Sequence, residues 1–332
     1  SLTDASGSTV FDQILITLPR TVTPEDVMLK EGIKTYPRDF SIRDSYRYES
    51  IKRNLVNPDG TDPTSLKNAI KNLELNYITL KLDPISFPKR ENIQASVIIP
   101  AHNKIKTTYY CLCSLLLAKN FNQFEVIVVD DGSSDETNEL EKIVSGIKVI
   151  HNQEPLRFIG ACNKGVKSAK GKYVVLLNND TEVTSGWLDA LIDGFQKLDD
   201  AGLVGSRLLY SDGRLQDAGG IVWRSGDPWN YGNGQNPEDP RFSYARQVDY
   251  LSGAALMTTK YIWDEVGGLS DYLKPMYFED TDLSFKIREA GYKTYYIPES
   301  TIYHFEGTTS GTDKFTVAHN TGNTNIEGTL TA

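Results

Sequence analysis

The stretch YVVLLNNDTEV, residues 173–183, decides the fold because an apolar run ends abruptly there in amides and a carboxylate. Residues 173–177 are apolar and follow a Gly-Lys pair, which predicts a short buried strand. Asn178, Asn179 and Asp180 then lie where this strand leaves the sheet. A carboxylate in that place can bind a hard divalent cation together with water and phosphate oxygens. A plain polar turn would use the same residue types, so the rest of the chain decides between the two interpretations.

Strands and helices alternate around this stretch. Residues 95–100, ASVIIP, and 124–129, FEVIVV, are apolar runs typical of buried strands. After residue 183, apolar side chains recur at helical spacing at Leu188, Leu191, Ile192 and Phe195. Continuously apolar strands that alternate with helices predict an α/β fold, with a mostly parallel sheet covered on both faces.

Polar loops follow three of the predicted strands. They are residues 100–103, the pair Asp130 and Asp131, and residues 178–180. Parallel strands end at one edge of a sheet, so these loops are expected to form one ligand cleft. Ser133 and Glu136 have the spacing of a capping box and predict a helix after the second strand.

Composition narrows the class of protein. The 332 residues suffice for one large α/β domain or two smaller ones. The net charge of -9 argues against non-specific nucleic-acid binding, which needs a positive face. Three cysteines, Cys111, Cys113 and Cys162, are interpreted as buried reduced thiols, and Cys-x-Cys alone is a weak zinc signal. No stretch is apolar enough to span a membrane, and no secretory signal pattern is present at the start.

The chain divides into three parts of different character. Residues 1–90 are polar and irregular apart from a helical pattern over 65–75, and we predict an N-terminal extension or a small accessory domain. Residues 91–313 carry the α/β pattern, and residues 314–332 are a polar C-terminal tail. Ser1 is not an initiator methionine, which is compatible with a fragment of a longer protein.

The polar strand ends belong to a longer ordered set of motifs. Asp130-Asp131-Gly-Ser, Asn-Asn-Asp and Glu279-Asp280 occur in that order, after VIIPAHN and before TIYHFEGTTSGT. This set resembles the family 2 glycosyltransferases with the GT-A fold, over about residues 94–313. It is most similar to the O-antigen and rhamnosyltransferase-like branch, in which Asn-Asn-Asp replaces the more usual Asp-x-Asp. The resemblance implies a nucleotide-diphospho-sugar transferase fold and transfer of a sugar from a nucleotide.

The resemblance also implies a donor nucleotide site. Its expected residues are Pro100, His102, Asn103, Asp131, Arg157 and Asn178. Asp131 resembles the carboxylate that accepts a hydrogen bond from a uracil or thymine ring N–H; capping the helix at Ser133 is the structural alternative, and Asp130 would cap or hold the loop instead. Asn178 falls near the ribose, and Arg157 is either a diphosphate contact or a solvated loop charge.

Asp180 and His304 are the metal ligands that the resemblance implies. Asp180 resembles the metal-binding member of the Asp-x-Asp motif, and His304 either completes the metal site or touches the diphosphate. Mg²⁺ suits oxygen ligands, whereas Mn²⁺ also accepts an imidazole. A packed or surface histidine is the alternative for His304.

Asp280 is the expected general base of an inverting transfer. One carboxylate suffices to remove the proton of the acceptor hydroxyl as it attacks the anomeric carbon. Glu279 and Asp282 are rivals on spacing alone, and a helix cap is the structural alternative for Asp280.

Acceptor-binding candidates are aromatic or acidic: Trp223, Trp229 and Glu279. Sugar rings stack on aromatic faces, and sugar hydroxyls need polar partners such as Asp217, Arg224 and Asp249. Trp187, on an amphipathic pattern, is expected to pack in the core. The loop TTSGTD, residues 308–313, is a candidate lid over the donor, with an ordinary connection as the alternative.

We therefore predict a metal-dependent inverting glycosyltransferase that acts on a glycan or lipid-linked acceptor in surface polysaccharide synthesis. The donor is dTDP-linked or UDP-linked, the cofactor is Mn²⁺ or Mg²⁺, and the location is cytoplasmic, with the inner face of the cytoplasmic membrane as an alternative. A non-catalytic carbohydrate-binding or scaffold module is the rival interpretation. The Gln-x-x-Arg-Trp signature of processive synthases and the G-x-G-x-x-G of dinucleotide binding are both missing from the sequence.

Overall fold

The computed structural model describes residues 61–74, 82–275 and 277–305. The strands in chain order are β1 (Ile85–Ser86), β2 (Ala95–Ala101), β3 (Phe124–Asp130), β4 (Val144–Ser145), β5 (Lys148–His151), β6 (Tyr173–Leu177), β7 (Thr181–Val183), β8 (Ala201–Leu209), β9 (Leu215–Asp217), β10 (Gly220–Val222), β11 (Pro228–Asn230), β12 (Arg246–Gln247), β13 (Ala255–Thr259) and β14 (Lys293–His304). The helices are α1 (Pro63–Glu74), α2 (Ile105–Leu117), α3 (Arg157–Lys167), α4 (Trp187–Lys197), α5 (Lys260–Val266) and α6 (Glu279–Glu289). Within these described ranges, every helix is too short or too polar to traverse a lipid bilayer.

One large mixed sheet organises the fold. Its main order is β12-β14-β8-β13-β6-β2-β3-β5, with β7 paired to β14 and β9 paired to β8. Strands β6, β2, β3 and β5 are mutually parallel, whereas β13 runs antiparallel to both β6 and β8. The predicted α/β sheet is therefore confirmed, and the carboxyl ends of β2, β3 and β6 lie side by side.

The apolar strands are continuous because both faces of the sheet are buried. Val97 and Ile99 belong to one core, and Ile98 between them belongs to the other, as the alternation of a strand requires. Helices α2 and α4 cover the first core, and α3 and α6 cover the second. A Cβ on Gly165 of α3 would lie 2.4 Å from Cγ2 of Ile98, so this glycine allows the helix to approach the sheet closely.

Helix α1 and strand β1, which precede the main sheet in the chain, pack on this unit. The predicted helical pattern over 65–75 is confirmed as α1, and Leu66 and Leu73 are buried in the first core. Strand β1 pairs with β4. Residues 1–60 and 75–81 of the predicted extension, the loop 308–313 and the tail 314–332 lie outside the described residues.

The prediction of a helix after Asp130 and Asp131 is wrong both in the type of helix and in the residue that caps it. A 3-10 helix spans Glu136–Lys142, and Asp135, not Ser133, caps it by accepting the amide of Thr137. The hydroxyl of Ser133 instead accepts the amide of Asn103 at 2.7 Å. The chain then enters β4, and Val144, which was predicted to lie on the helix, is buried in this strand.

Candidate active site

Asp131 organises the loop that leads into α3. Its Oδ1 accepts hydrogen bonds from the side chain of Asn152 and the amide of Leu156, both at 2.7 Å. Its Oδ2 accepts the amide of Arg157, also at 2.7 Å. Arg157 has a left-handed backbone with φ of 60°, so the buried carboxylate stabilises a strained chain reversal. The alternative that Asp131 caps the helix at Ser133 is wrong.

Asp130, the neighbouring carboxylate, holds the loop as the sequence suggested. Its Oδ1 accepts the amide of Ser133 at 3.1 Å, and its Oδ2 lies 2.9 Å from Nδ1 of His151. Hydrogen bonding to Asp130, and then to Glu141, raises the pKa of His151. The pair of aspartates therefore fixes two successive segments of this sheet edge.

The loop after β2 lies against the Asp131 loop. Nδ1 of His102 is 2.9 Å from the carbonyl oxygen of Asp131, and the His102 side chain is exposed. Asn103 accepts the amide of Ser134 at 2.8 Å, and half-buried Pro100 precedes both residues in β2. The structure thus places Pro100, His102, Asn103 and Asp131 together, whereas the Arg157 side chain is exposed at the start of α3.

The ends of β6 and β14 bring Asp180 and His304 together. Nε2 of His304 lies 3.3 Å from Oδ1 of Asp180, and 3.5 Å from Nδ2 of Asn178. Strand β7 pairs with β14 so that Thr181 is opposite His304, and the amide of Phe305 donates to the Asp180 carbonyl at 2.9 Å. Two segments that are 124 residues apart in sequence therefore meet by backbone pairing.

This pair fits a divalent cation whose other ligands come from a substrate. An imidazole nitrogen beside a carboxylate oxygen is a suitable donor set for Mn²⁺. The Oδ1 atom of Asn178 is buried beside them and has no hydrogen-bond partner among the described residues. Over those same ranges, no group of three or more His, Cys, Asp or Glu side chains is placed to hold a metal ion. Diphosphate oxygens and water would have to supply the remaining ligands.

Asp280 and Glu279 occupy the first turn of α6. Asp280 accepts the amide of Gly253 at 3.0 Å and the amide of Thr281 at 2.7 Å, and burial raises its pKa. Burial and then the charge of Asp280 raise the pKa of Glu279 to about 7. Oε2 of Glu279 is buried without a hydrogen-bond partner in the described part of the chain. Both carboxyl groups therefore bind a proton more readily than an ordinary aspartate or glutamate side chain does.

Asp282 has a different environment from these two carboxyl groups. It accepts hydrogen bonds from the hydroxyls of Ser270 and Tyr272, and an ion pair joins it to Lys286 at 3.3 Å. Burial opposes ionisation, but the hydroxyl contacts outweigh it and lower the pKa of Asp282. Asp282 consequently anchors the segment before α6.

Gln216 in β9 escaped the sequence interpretation, and the adjacent Asp217 was predicted only as a polar partner for acceptor hydroxyls. Oε1 of Gln216 lies 2.9 Å from Nδ1 of His304. Asp217 is 2% exposed, and its Oδ1 has no hydrogen-bond partner among the residues described. Burial, with a smaller contribution from Asp280, raises the pKa of Asp217 to about 7. A polar Gln-Asp pair within a short apolar segment was the available signal.

Trp223 and Trp229, which the sequence predicts to bind the acceptor, lie on the hairpin of β10 and β11. Trp223 is 47% exposed and Trp229 is 62% exposed, and their rings contact edge to face with centroids 5.5 Å apart. Tyr250 contacts this hairpin, because its hydroxyl donates to Asn230 at 2.8 Å. Burial, and then the charges of Asp217 and Asp280, raise the pKa of Tyr250. Trp187 is fully buried, as expected.

The charges of Asp131 and Glu279 act on a common buried thiol, that of Cys162. Burial raises the pKa of Cys162 well above its usual value, and the charges of Glu279 and Asp131 add to the effect. Cys111 and Cys113 are also buried and reduced. Asp131 accepts a hydrogen bond from the amide of Arg157 in α3, and a Cβ on Gly253 would lie 3.5 Å from Phe158 of α3 and 3.6 Å from Asp280. Helix α3 therefore connects the Asp131 loop to the start of α6.

The fold and the position of this cleft define a glycosyltransferase-type α/β domain. The chain belongs to glycosyl transferase family 2, whose family model matches residues 96–263, half of its length. The structure of GalNAc-T7 with UDP, GalNAc and Mn²⁺ superposes with a TM-score of 0.53 and 20% identity, over 66% of this chain and 46% of the other. The predicted GT-A fold is confirmed.

Two relatives show the extent of the similarity to other proteins. Protein y4gI of Sinorhizobium fredii, described as uncharacterized, is 30% identical over 251 residues, which are 70% of this chain and 27% of the relative. N-acetylglucosaminyl-diphospho-decaprenol L-rhamnosyltransferase of Mycobacterium tuberculosis is 24% identical over 229 residues, which are 61% of this chain and 73% of the relative. The chain thus spans about a quarter of the length of the first relative.

Proposed function

We propose that this protein is a metal-dependent, inverting glycosyltransferase that moves a sugar from a nucleotide diphosphate to a glycan or lipid-linked acceptor. The similarity to an L-rhamnosyltransferase that is named for a diphospho-decaprenol acceptor supports a lipid-linked acceptor, a role in surface polysaccharide synthesis and the O-antigen or rhamnosyltransferase-like branch. We assign the transferase domain to residues 91–313, after the N-terminal extension and before the tail. The proposed location is the cytoplasm, with the inner face of the cytoplasmic membrane as the alternative.

The observation that carries this proposal is a pair of hydrogen bonds made by adjacent residues before β13. The amide of Gly253 donates to Asp280 at 3.0 Å, and the carbonyl of Ala254 accepts the amide of Asn178 at 2.9 Å. The Gly253-Ala254 segment therefore holds both the expected base, Asp280, and the end of β6 that precedes Asp180. This supports metal binding and acid–base chemistry in a single cleft.

Asp180 and His304 would hold Mn²⁺ or Mg²⁺, which compensates the charge of the departing diphosphate when it is bound. Asp280 takes the proton of the acceptor hydroxyl while that oxygen bonds to the anomeric carbon. The bond from this carbon to the diphosphate oxygen breaks at the same time, and the nucleoside diphosphate leaves. Attack from the face opposite the leaving group inverts the anomeric configuration.

Recognition of the donor base rests on Asp131 in this proposal. Its carboxylate already accepts three hydrogen bonds from its own loop. A carboxylate offers about four lone-pair directions, which leaves one for the ring N–H of uracil or thymine. Pro100, His102 and Asn103 border this position, Asn178 approaches the ribose, and Arg157 reaches the diphosphate.

The acceptor glycan would contact Trp223, Trp229 and Glu279. Indole faces stack on the C–H face of a sugar ring, and the carboxyl group of Glu279 bonds a hydroxyl. The exposure of both indoles on a hairpin that Tyr250 contacts supports this assignment.

A panel of dTDP-linked and UDP-linked sugars tests the proposal. We expect nucleotide release that requires Mn²⁺ or Mg²⁺, stops with a chelator and rises with a suitable acceptor. NMR of the product should show an inverted anomer. Nucleotide binding without turnover of any donor would contradict the proposal and favour a carbohydrate-binding scaffold.

A further inference from the structure

Gln216 lies in a β-bulge beside the expected metal site. In the pairing of β8 with β9, Leu208 is opposite Asp217 and Leu209 is opposite Leu215, so Gln216 is the extra residue. Strand β8 also pairs with β14 up to Tyr303, the residue before His304. A bulge redirects the side chain of the extra residue, which is how β-bulges near active sites commonly act. Here it directs the Gln216 amide toward the imidazole of His304.

The contact between these side chains determines which ring nitrogen carries the proton. Oε1 of Gln216 only accepts hydrogen bonds, and it lies 2.9 Å from Nδ1 of His304. Nδ1 therefore carries the hydrogen, and in the neutral ring the lone pair is on Nε2. That atom lies 3.3 Å from Oδ1 of Asp180. Two acceptors that face each other at this distance suit a cation between them.

We propose that Gln216 is the positioning residue that fixes His304 in the Nδ1–H tautomer and presents Nε2 to a divalent cation. The inference rests on the proposed function for the identity of the ligand, a cation bound with a nucleoside diphosphate. Burial isolates this contact from solvent, because Gln216 is 2% exposed and water does not compete for its amide oxygen. Histidine ligands of metals usually donate their second N–H to such an acceptor.

The side chain and the main chain of Gln216 make separate contacts, which provides a matched control. Nδ2 of Asn233 donates to the Gln216 carbonyl at 3.1 Å and to the Tyr210 hydroxyl at 3.0 Å. Asn233→Ala therefore perturbs the same bulge without removing the acceptor for His304. Gln216→Leu removes that acceptor, and Gln216→Glu keeps an oxygen in its place.

The first measurement is the tautomer of His304 in the metal-free full chain, by ¹⁵N NMR of the imidazoles at about pH 8, above the ordinary histidine pKa. The His304 signals are assigned by their loss in His304→Phe. We expect a protonated Nδ1 in the unmodified protein, in Gln216→Glu and in Asn233→Ala. In Gln216→Leu the Nδ1–H signal should be lost or the ring should populate both tautomers. An unchanged Nδ1–H signal in Gln216→Leu would overturn the proposal.

The second measurement is Mn²⁺ affinity in the presence of UDP, from the free Mn²⁺ signal in electron paramagnetic resonance. Loss of an outer-shell partner typically weakens metal binding about 10–100-fold, which is the effect expected for Gln216→Leu. Equal affinities in Gln216→Leu and Asn233→Ala would contradict the positioning role. If the unmodified protein binds no Mn²⁺ at all, the proposed function fails, whereas the tautomer result still decides the role of Gln216. Thermal unfolding of each variant confirms that it is folded.

Discussion

The backbone amide of Gly253 donates a hydrogen bond to Oδ2 of Asp280 across 3.0 Å. This contact fixes the carboxyl group in one orientation, and the Thr281 amide holds its other oxygen at 2.7 Å. Burial raises the pKa of the group despite these donors. Asp280 is therefore held rigidly while it remains a better proton acceptor than an exposed aspartate.

Replacing Asp280 should slow transfer strongly and spare nucleotide binding. Asp280→Asn keeps the size of the side chain and an acceptor for Gly253, but removes the basic group. We expect kcat to fall about 10²–10⁴-fold, the usual contribution of a positioned base. Initial rates at saturating donor, together with UDP affinity by calorimetry, separate the two effects.

Asp282→Asn is the matched control, because it lies on the same helix and contacts Ser270 and Tyr272 instead. It should lower the thermal midpoint of unfolding and reduce kcat far less than Asp280→Asn does. Equal losses of kcat in both variants would remove the base assignment from Asp280. Glu279→Gln then tests the remaining carboxyl group of this turn.

Asp131 should couple base recognition to the stability of its loop. Asp131→Asn removes the charge of a carboxylate that accepts hydrogen bonds from the backbone amides of Leu156 and Arg157. We expect the free energy of unfolding to fall by about 2 kcal/mol, as for hydrogen bonds to charged groups. The preference for UDP over CDP should also fall, because cytosine presents an acceptor where uracil presents N–H. Urea unfolding and calorimetry with both nucleotides measure the two effects.

Asn152→Ala distinguishes the two roles of Asp131, since Asn152 donates to the same carboxylate and lies in the loop. It should lower stability by about 1 kcal/mol and leave the UDP to CDP preference unchanged. A changed preference in Asn152→Ala but not in Asp131→Asn would contradict the base contact.

The tryptophan hairpin should affect the acceptor alone. Trp229→Ala and Trp223→Ala remove exposed rings, so the thermal midpoint should change little. The acceptor KM should rise about 10-fold, which corresponds to about 1.4 kcal/mol of lost stacking. Nucleotide release without acceptor should stay unchanged. Tyr261→Ala, which removes another exposed ring on α5, is the control, and an equal rise in KM there would refute a specific acceptor site.

The strand ends were predictable from the sequence because their causes are local. An apolar run followed by Asp130-Asp131 or by Asn178 to Asp180 contains its own strand signal and its own polar end. The cap near Ser133 was not predictable in the same way. Asp135 and Ser133 are both good caps, and the amide of Asn103 from another loop engages the Ser133 hydroxyl.

Gln216 and Asp217 show the limit of the sequence more clearly. Their position beside His304 depends on the pairing of β9 with β8 and on a register shift of one residue. Neither the pairing partner nor the bulge has a signature in a three-residue strand. The polar Gln-Asp pair within a short apolar segment was the local indication of a role in the cleft.

Asp217 should make the stability of the protein depend on pH. Burial and the nearby charge of Asp280 raise its pKa to about 7, although Arg246, His304 and the amide of Gly219 oppose the shift. The ordinary value in the unfolded chain is 3.8. Below both pKa values the group is protonated in the folded and the unfolded state, so its ionisation does not lower the stability of the fold. Between them only the unfolded chain loses the proton, so stability falls as pH rises and levels off above about 7.

Asp217→Asn removes this dependence, because an amide does not titrate. The difference between the two pKa values of Asp217 corresponds to about 4 kcal/mol of unfolding free energy. Between pH 4 and pH 8, the free energy of unfolding of the variant should therefore rise by up to about that much relative to the unmodified protein. Urea unfolding at intervals across this range measures the gain, and Asp212→Asn, at an exposed aspartate paired with Arg214, provides the control. A constant difference between Asp217→Asn and the unmodified protein at every pH would show that Asp217 ionises equally in the folded and unfolded states.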